Sequence, residues 1–238
     1  MTDNGPLELW ATNAFQAVLK PLADALLAAS GGALSIVYRS SNTILAEIGK
    51  GGRADALIAT RPALEQLGRD GIVASASITD LASVGLGIGV RAGAPVPDLS
   101  TPDAVRRALL AARSIVHSST GASAAYFLEM AQRLGVADQV KAKAIVYSGG
   151  LVGDLVASGA AELGAQMVSE IVAVPGVTLA GELPDEFRHP TVFAAALFAH
   201  TTRASAAHAV MRVLASAAAR PIYQKAGMMP VTQASPTR

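Results

Sequence analysis

The sequence predicts an α/β protein of two lobes, joined by a two-stranded hinge, with a ligand cleft between them. Three observations predict it. The first 70 residues alternate strand and helix patterns in the order β-α-β-α-β-α, which implies a parallel sheet covered by helices on both faces. Two long apolar runs, around 83–91 and 191–199, bracket a second block of β-α units, so the chain leaves one lobe and later returns to it. Small polar residues collect where strands end, the side on which open parallel sheets bind ligands. Lobe one is expected over 1–84 with 196–238, and lobe two over 85–195.

Each element follows from local pattern. Residues 7–11 form a short strand ending at Thr12 and Asn13. Residues 14–29 place Phe15, Val18, Leu19, Leu22 and Leu26 on one helical face, and Gly31-Gly32 stops that helix. Residues 33–38 are a second strand running into Arg39, Ser40, Ser41 and Asn42, then a helix carrying Ile44, Leu45 and Ile48. A third strand, 54–59, ends in Thr60-Arg61-Pro62, and a proline there suits the first turn of the next helix. After the apolar run 83–90 comes a proline- and glycine-rich loop, and Ser100 or Thr101 caps a helix that ends near Arg113. A strand through Ile115 and Val116 meets Ser118, Ser119, Thr120 and Gly121, and a helix with Ser123, Phe127, Met130 and Leu134 opens from this turn. Strands 143–147 and 161–168 follow, the second ending at Ser169-Glu170, with a helix over 151–157 between them. Residues 177–183 are extended, 191–199 form a long apolar strand, 203–217 are helical, 218–226 add a last turn or two, and 230–238 read as a tail.

Composition narrows the function classes. The chain has 238 residues, is 51% hydrophobic and 16% charged, and carries a net charge of +1. That balance gives no electrostatic basis for binding nucleic acid or an anionic membrane surface. Cysteine is absent, so disulfides, thiolate nucleophiles and cysteine-ligated metals are excluded. No apolar run reaches the ~18 residues of a spanning helix, so no membrane insertion is expected. The start MTDNGPLELW lacks a basic segment and an apolar signal core. The chain as written is therefore expected in the cytoplasm, and in the periplasm if a leader has been removed.

Four junctions carry the chemistry: Thr12-Asn13, Ser40-Ser41-Asn42, Ser118-Ser119-Thr120 with Ser123, and Ser169-Glu170. A strand that ends in a hydroxyl- and glycine-rich turn and opens a helix offers an anion both free backbone N–H groups and the positive end of the helix dipole. Serine and threonine hydroxyls add donors without adding charge. Simple helix capping competes with this reading at each of them. Gly85, Gly87 and Gly89 alternate along a strand and form no dinucleotide fingerprint, and there is no Walker-type lysine loop. The four histidines, His117, His189, His200 and His208, show no metal-ligand spacing, so no metal and no cofactor is implied. Glu170 is the one acidic side chain at the four junctions. Its structural alternatives are pairing with Arg91 or Arg61, or capping a backbone N–H.

ATNA, YRSSN, the RAGAPVPD loop, SSTGAS and ELGAQMVSE resemble the molybdate-binding-protein branch of the type II periplasmic solute-binding proteins, over roughly residues 7–230. Within that branch, residues 90–114 and 162–176 are most similar to aconitate isomerase-like members. The resemblance implies the type II fold and a small carboxylate or oxyanion held between the lobes by Thr12, Asn13, Ser40, Ser41, Asn42, Ser118, Ser119, Thr120, Ser123 and Ser169. A monomer is expected, with an ABC-transporter permease as partner if the protein is exported. The enzymatic alternative is an allylic proton shift on a small tricarboxylate, with Glu170 or His117 as the base. A ligand sensor is a third reading.

Overall fold

The computed structural model describes residues 5–231. In chain order its elements are β1 (Leu7–Thr12), α1 (Gln16–Leu19), α2 (Ala23–Ala29), β2 (Leu34–Arg39), α3 (Ser41–Gly49), β3 (Ala56–Thr60), α4 (Arg61–Arg69) and β4 (Thr79–Val84). These are followed by β5 (Leu86–Arg91), α5 (Pro102–Ala111), β6 (Ile115–Ser118), α6 (Ala122–Arg133), α7 (Ala137–Lys141), β7 (Ala144–Tyr147), α8 (Gly153–Ala157), β8 (Leu163–Met167), α9 (Val168–Val172), β9 (Val177–Leu179) and α10 (Asp185–Arg188). The chain closes with β10 (Thr191–Leu197), α11 (Ala204–Leu214), α12 (Arg220–Lys225) and β11 (Met229–Pro230). It divides into two compact units: the residues up to Ser83 with those from Thr191 on, and Val84–Pro190.

The first unit holds a six-stranded sheet in the order β11-β4-β10-β3-β1-β2. β1 runs parallel to β2 and to β3, and β10 is antiparallel to β3. Alternation along the strands divides the core between two faces. Trp10, Leu57 and Ala59 face the cluster built with Ile44, Ile48, Leu64 and Phe198. Elsewhere in the unit Phe15 packs edge-on against Phe193 and Tyr223, and Val18, Leu19 and Leu26 are fully buried.

The second unit holds a five-stranded sheet in the order β7-β6-β8-β5-β9. β6 is parallel to β7 and β8, whereas β5 is antiparallel to β8 and β9. Ile115 and Ala165 face a large core with Phe127, Met130, Val105 and Leu109, and Val116 packs with Val152 and Val156 on the other side.

The expected elements hold, with departures that have local causes. The helix expected over 14–29 is a 3-10 turn plus α1 and α2, broken around Pro21, which has no N–H to donate and crowds the carbonyl four residues back. The run 83–91 is two strands parted at Gly85, where a Cβ would lie 2.6 Å from the Arg188 carbonyl oxygen. Gly87 and Gly89 make room for α9: a Cβ at either would come within 2.9 Å of Val168 or Ile171. Thr101 caps α5, its Oγ1 accepting from the Ala104 N–H at 3.1 Å. The strand expected to run to Val168 ends at Met167, because Val168 already begins α9. At the expected tail, Met229-Pro230 pairs with β4, and residues 232–238 lie outside the described residues.

Candidate functional site

In the first unit the parallel strands β1, β2 and β3 end on one edge, with Thr12 in register with Arg39. Because β10 is antiparallel, its first residues start on that same edge, with Phe193 opposite Thr60. Thr12 is 2% exposed, and its Oγ1 has no hydrogen-bond partner. Leaving a buried hydroxyl unpaired costs ~1–3 kcal/mol. Asn13 is occupied locally, its Oδ1 accepting from Gln16 Nε2 at 3.3 Å. Ser40 is the N-cap of α3: its Oγ accepts from the Thr43 N–H at 3.2 Å and lies 2.8 Å from Thr43 Oγ1. Ser41 and Asn42 occupy the first turn of α3, half-buried and exposed respectively. Arg61, which opens α4 directly after β3, is held by Asp80 at 2.7 Å and Glu65 at 2.9 Å.

In the second unit β6, β7 and β8 end together. Ser118 is opposite Tyr147, and the Ser119 N–H donates to the Tyr147 carbonyl at 2.8 Å. Ser118 is buried, and its Oγ accepts from Gln166 Nε2 at 3.2 Å. Ser119 and Thr120 are exposed, and Gly121, at φ 95°, is the N-cap of the 12-residue helix α6. A left-handed φ admits glycine without a Cβ penalty. Ser123 is buried in the first turn of α6.

Ser169 and Glu170 sit in the first turn of α9, directly after β8. Ser169 is fully buried, and its Oγ has no hydrogen-bond partner. Glu170 folds back so that its Oε2 accepts from the Met167 N–H at 3.2 Å, the backbone-capping role. Burial pushes the Glu170 carboxyl up from 4.5 to about 7, against a smaller opposing effect of the Met167 bond.

His117 lies on the face of β6 opposite to Ser118. Its ring packs against Phe127 with centroids 5.3 Å apart, and its Nδ1 donates to the Ser118 carbonyl at 2.8 Å. The imidazole is thus built into the core that supports α6.

The residue the sequence reading passed over is Gln166. It is 2% exposed and touches Ser118, Gly150 and Val152. The signal was present: one amide in the otherwise apolar strand LGAQM. A buried polar side chain in such a strand needs partners, and these lie on the same edge as the hydroxyl turn. Among the described residues no group of three or more His, Cys, Asp or Glu side chains is placed to hold a metal, and no helix is long and apolar enough to cross a membrane.

Comparison with known proteins places this geometry among relatives. A family profile described as bacterial extracellular solute-binding protein matches residues 7–229. A curated protein of a Pseudomonas species, named aconitate isomerase, is 33% identical over 178 residues, covering 75% of this chain and 68% of its own. The solved periplasmic molybdate-binding protein of Azotobacter vinelandii superposes with a TM-score of 0.78 at 23% identity, covering 95% of this chain and 100% of that one. The sulfate-binding protein of Mycobacterium tuberculosis superposes with a TM-score of 0.74 at 18% identity, covering 97% and 88%.

Proposed function

The chain belongs to the bacterial extracellular solute-binding protein family and has the fold of the type II periplasmic binding proteins, and on that footing we propose that it binds a small oxyanion or carboxylate. The donors are hydroxyls and backbone N–H groups at the carboxyl ends of its parallel strands. The observation that carries this reading is a buried hydroxyl without a partner at such an end, Ser169 Oγ in the second unit; the first unit holds another, Thr12 Oγ1, at its own strand ends. A fold retains such groups at a cost, and an anion's oxygens would supply the missing acceptors. In the second unit Ser118, Ser119 and the N-terminus of α6 add donors on the edge where β6 and β8 end, and similar solved proteins are named for molybdate and sulfate. In a transport role the loaded protein is handed to the permease of an ABC transporter.

The test is a thermal-shift panel of molybdate, tungstate, sulfate, citrate and both aconitates, followed by calorimetry. A ligand at a hundred times its dissociation constant stabilises the native state by ~2.7 kcal/mol. A melting temperature unmoved by every one of these anions refutes the reading.

A second reading has its own support. Glu170 is a buried carboxyl titrating at about 7, and the 33% identical relative is named aconitate isomerase. A base near working pH can take a proton from the CH₂ beside a carboxylate and return it at the far carbon as the double bond shifts. Proton NMR of cis- and trans-aconitate incubated with the protein decides it: interconversion supports an isomerase, and unchanged spectra leave binding alone.

A further inference from the structure

We infer that Gln166 is a positioning residue: it fixes the Ser118 hydroxyl as a hydrogen-bond donor toward a bound anion and pins the turn at 150–152 beside it. The inference rests on the anion-binding reading above. Its starting point is the accounting of one buried amide. Gln166 Oε1 accepts from the Val152 N–H at 2.9 Å, and its Nε2 donates to Ser118 Oγ at 3.2 Å and to the Gly150 carbonyl at 3.4 Å. The backbone partners settle which way the amide points. An N–H can only donate and a carbonyl can only accept, so the oxygen faces Val152 and the nitrogen faces Gly150. Ser118 therefore receives an N–H.

A hydroxyl that receives a hydrogen bond on its oxygen keeps its own hydrogen for another acceptor. Ser118 is the last residue of β6, on the edge where α6 opens. There the free O–H suits an oxygen that accepts only, such as a deprotonated oxyanion or a carboxylate. It suits a ligand group that must itself donate less well, because the amide already takes one of the two lone pairs on the serine oxygen. Chained hydrogen bonds of this kind also strengthen one another in a buried setting.

The test is a double-mutant cycle on Ser118→Ala and Gln166→Met, with sodium molybdate and trans-aconitate as calorimetric probes and folding checked by circular dichroism. Ser118→Ala should weaken binding about ten- to a hundredfold, the loss of one hydrogen bond to a charged ligand. Gln166→Met should give a loss of the same order. The double variant should be no weaker than Ser118→Ala alone, since coupled groups do not add. Gln166→Glu keeps an acceptor for the Val152 N–H and turns the Ser118 hydrogen inward. It should lose affinity as well, and it serves as the test if the methionine variant fails to fold. Independent, additive losses, or wild-type affinity in both Gln166 variants, overturn the positioning role while Ser118 remains a ligand residue. If Ser118→Ala binds as well as wild type, the inference falls and the anion-binding reading stands; if the wild type binds neither these probes nor any other anion of the panel above, that reading falls and takes the inference along.

Discussion

Replacing Glu170 by glutamine isolates the electrostatics at the start of α9. The wild-type carboxyl is raised from 4.5 to about 7 by burial. Below pH 4.5 the group is protonated in both folded and unfolded chains, and it makes no difference to stability. Between pH 4.5 and about 7 the unfolded chain releases its proton while the folded chain retains it, so stability falls as pH rises. Above about 7 the full difference stands. A separation of about 2.5 pH units, at 1.36 kcal/mol each, makes it about 3 kcal/mol. Glutamine does not titrate, and its carbonyl can still accept from the Met167 N–H, so the cap is kept. Every other titrating group is common to both proteins and cancels in the comparison. Thermal unfolding of wild type and Glu170→Gln from pH 4.5 to 8 should therefore give curves that diverge in favour of the variant. At ~2–4 °C per kcal/mol for a chain of this size, the relative gain is roughly 6–12 °C across the window. Parallel curves would show that the carboxyl is hydrated in the folded protein, and would remove the basis for a base of intermediate pKa there.

Thr12→Val and Ser169→Ala should separate stability from binding. Each removes a buried hydroxyl without a partner, so the ligand-free protein should gain up to ~1–3 kcal/mol by urea denaturation while anion affinity drops roughly tenfold or more. Gly87→Ala places a Cβ 2.8 Å from Val168 Cγ2 and 3.0 Å from Leu179 Cδ1, and should cost ~1–3 kcal/mol in the same assay. Phe127→Ala empties the fully buried centre of the second unit's core and should cost ~3–5 kcal/mol, enough to test whether that unit unfolds first in a protease-protection experiment.

The fold was legible wherever periodicity and punctuation agreed. The alternation of residues 7–69 gave β1 to α4 nearly in place, because glycine pairs stop the helices and proline opens α4. Legibility failed where a single residue overrides a pattern. Pro21 sits within a continuous apolar stripe, so the periodicity predicts one helix and the missing N–H makes two. The break at Gly85 depends on the backbone of Arg188, 103 positions along the chain, and no local signal carries that. At the site, the hydroxyl clusters were visible as residue types, but their roles depend on partners. Ser40 and Thr12 look alike in sequence, yet one caps a helix and the other is buried without a partner. Gln166 is visible in the sequence as a lone amide in an apolar strand, but its role depends on three partners that only the fold brings to it.

The two readings of function make different demands on the same chemistry. A binder of small anions can rely on neutral donors, since hydroxyls and N–H groups satisfy oxygen acceptors without the desolvation cost that a buried cation brings. The strand ends are built in that manner. Ser118 Oγ accepts from Gln166, the Thr12 and Ser169 hydroxyls are buried without partners, and Arg61 is engaged by Asp80 and Glu65. A nearby carboxyl repels an anion when ionised, so a pure binder tolerates Glu170 best in the protonated form that burial favours below about pH 7. An isomerase needs the opposite from the same residue: a carboxylate that ionises often enough to accept a proton and holds it strongly enough to return it. A carboxyl titrating at about 7 meets both demands at neutral pH, which is why chemistry on the two aconitates, rather than affinity for them, is the observation that separates the readings.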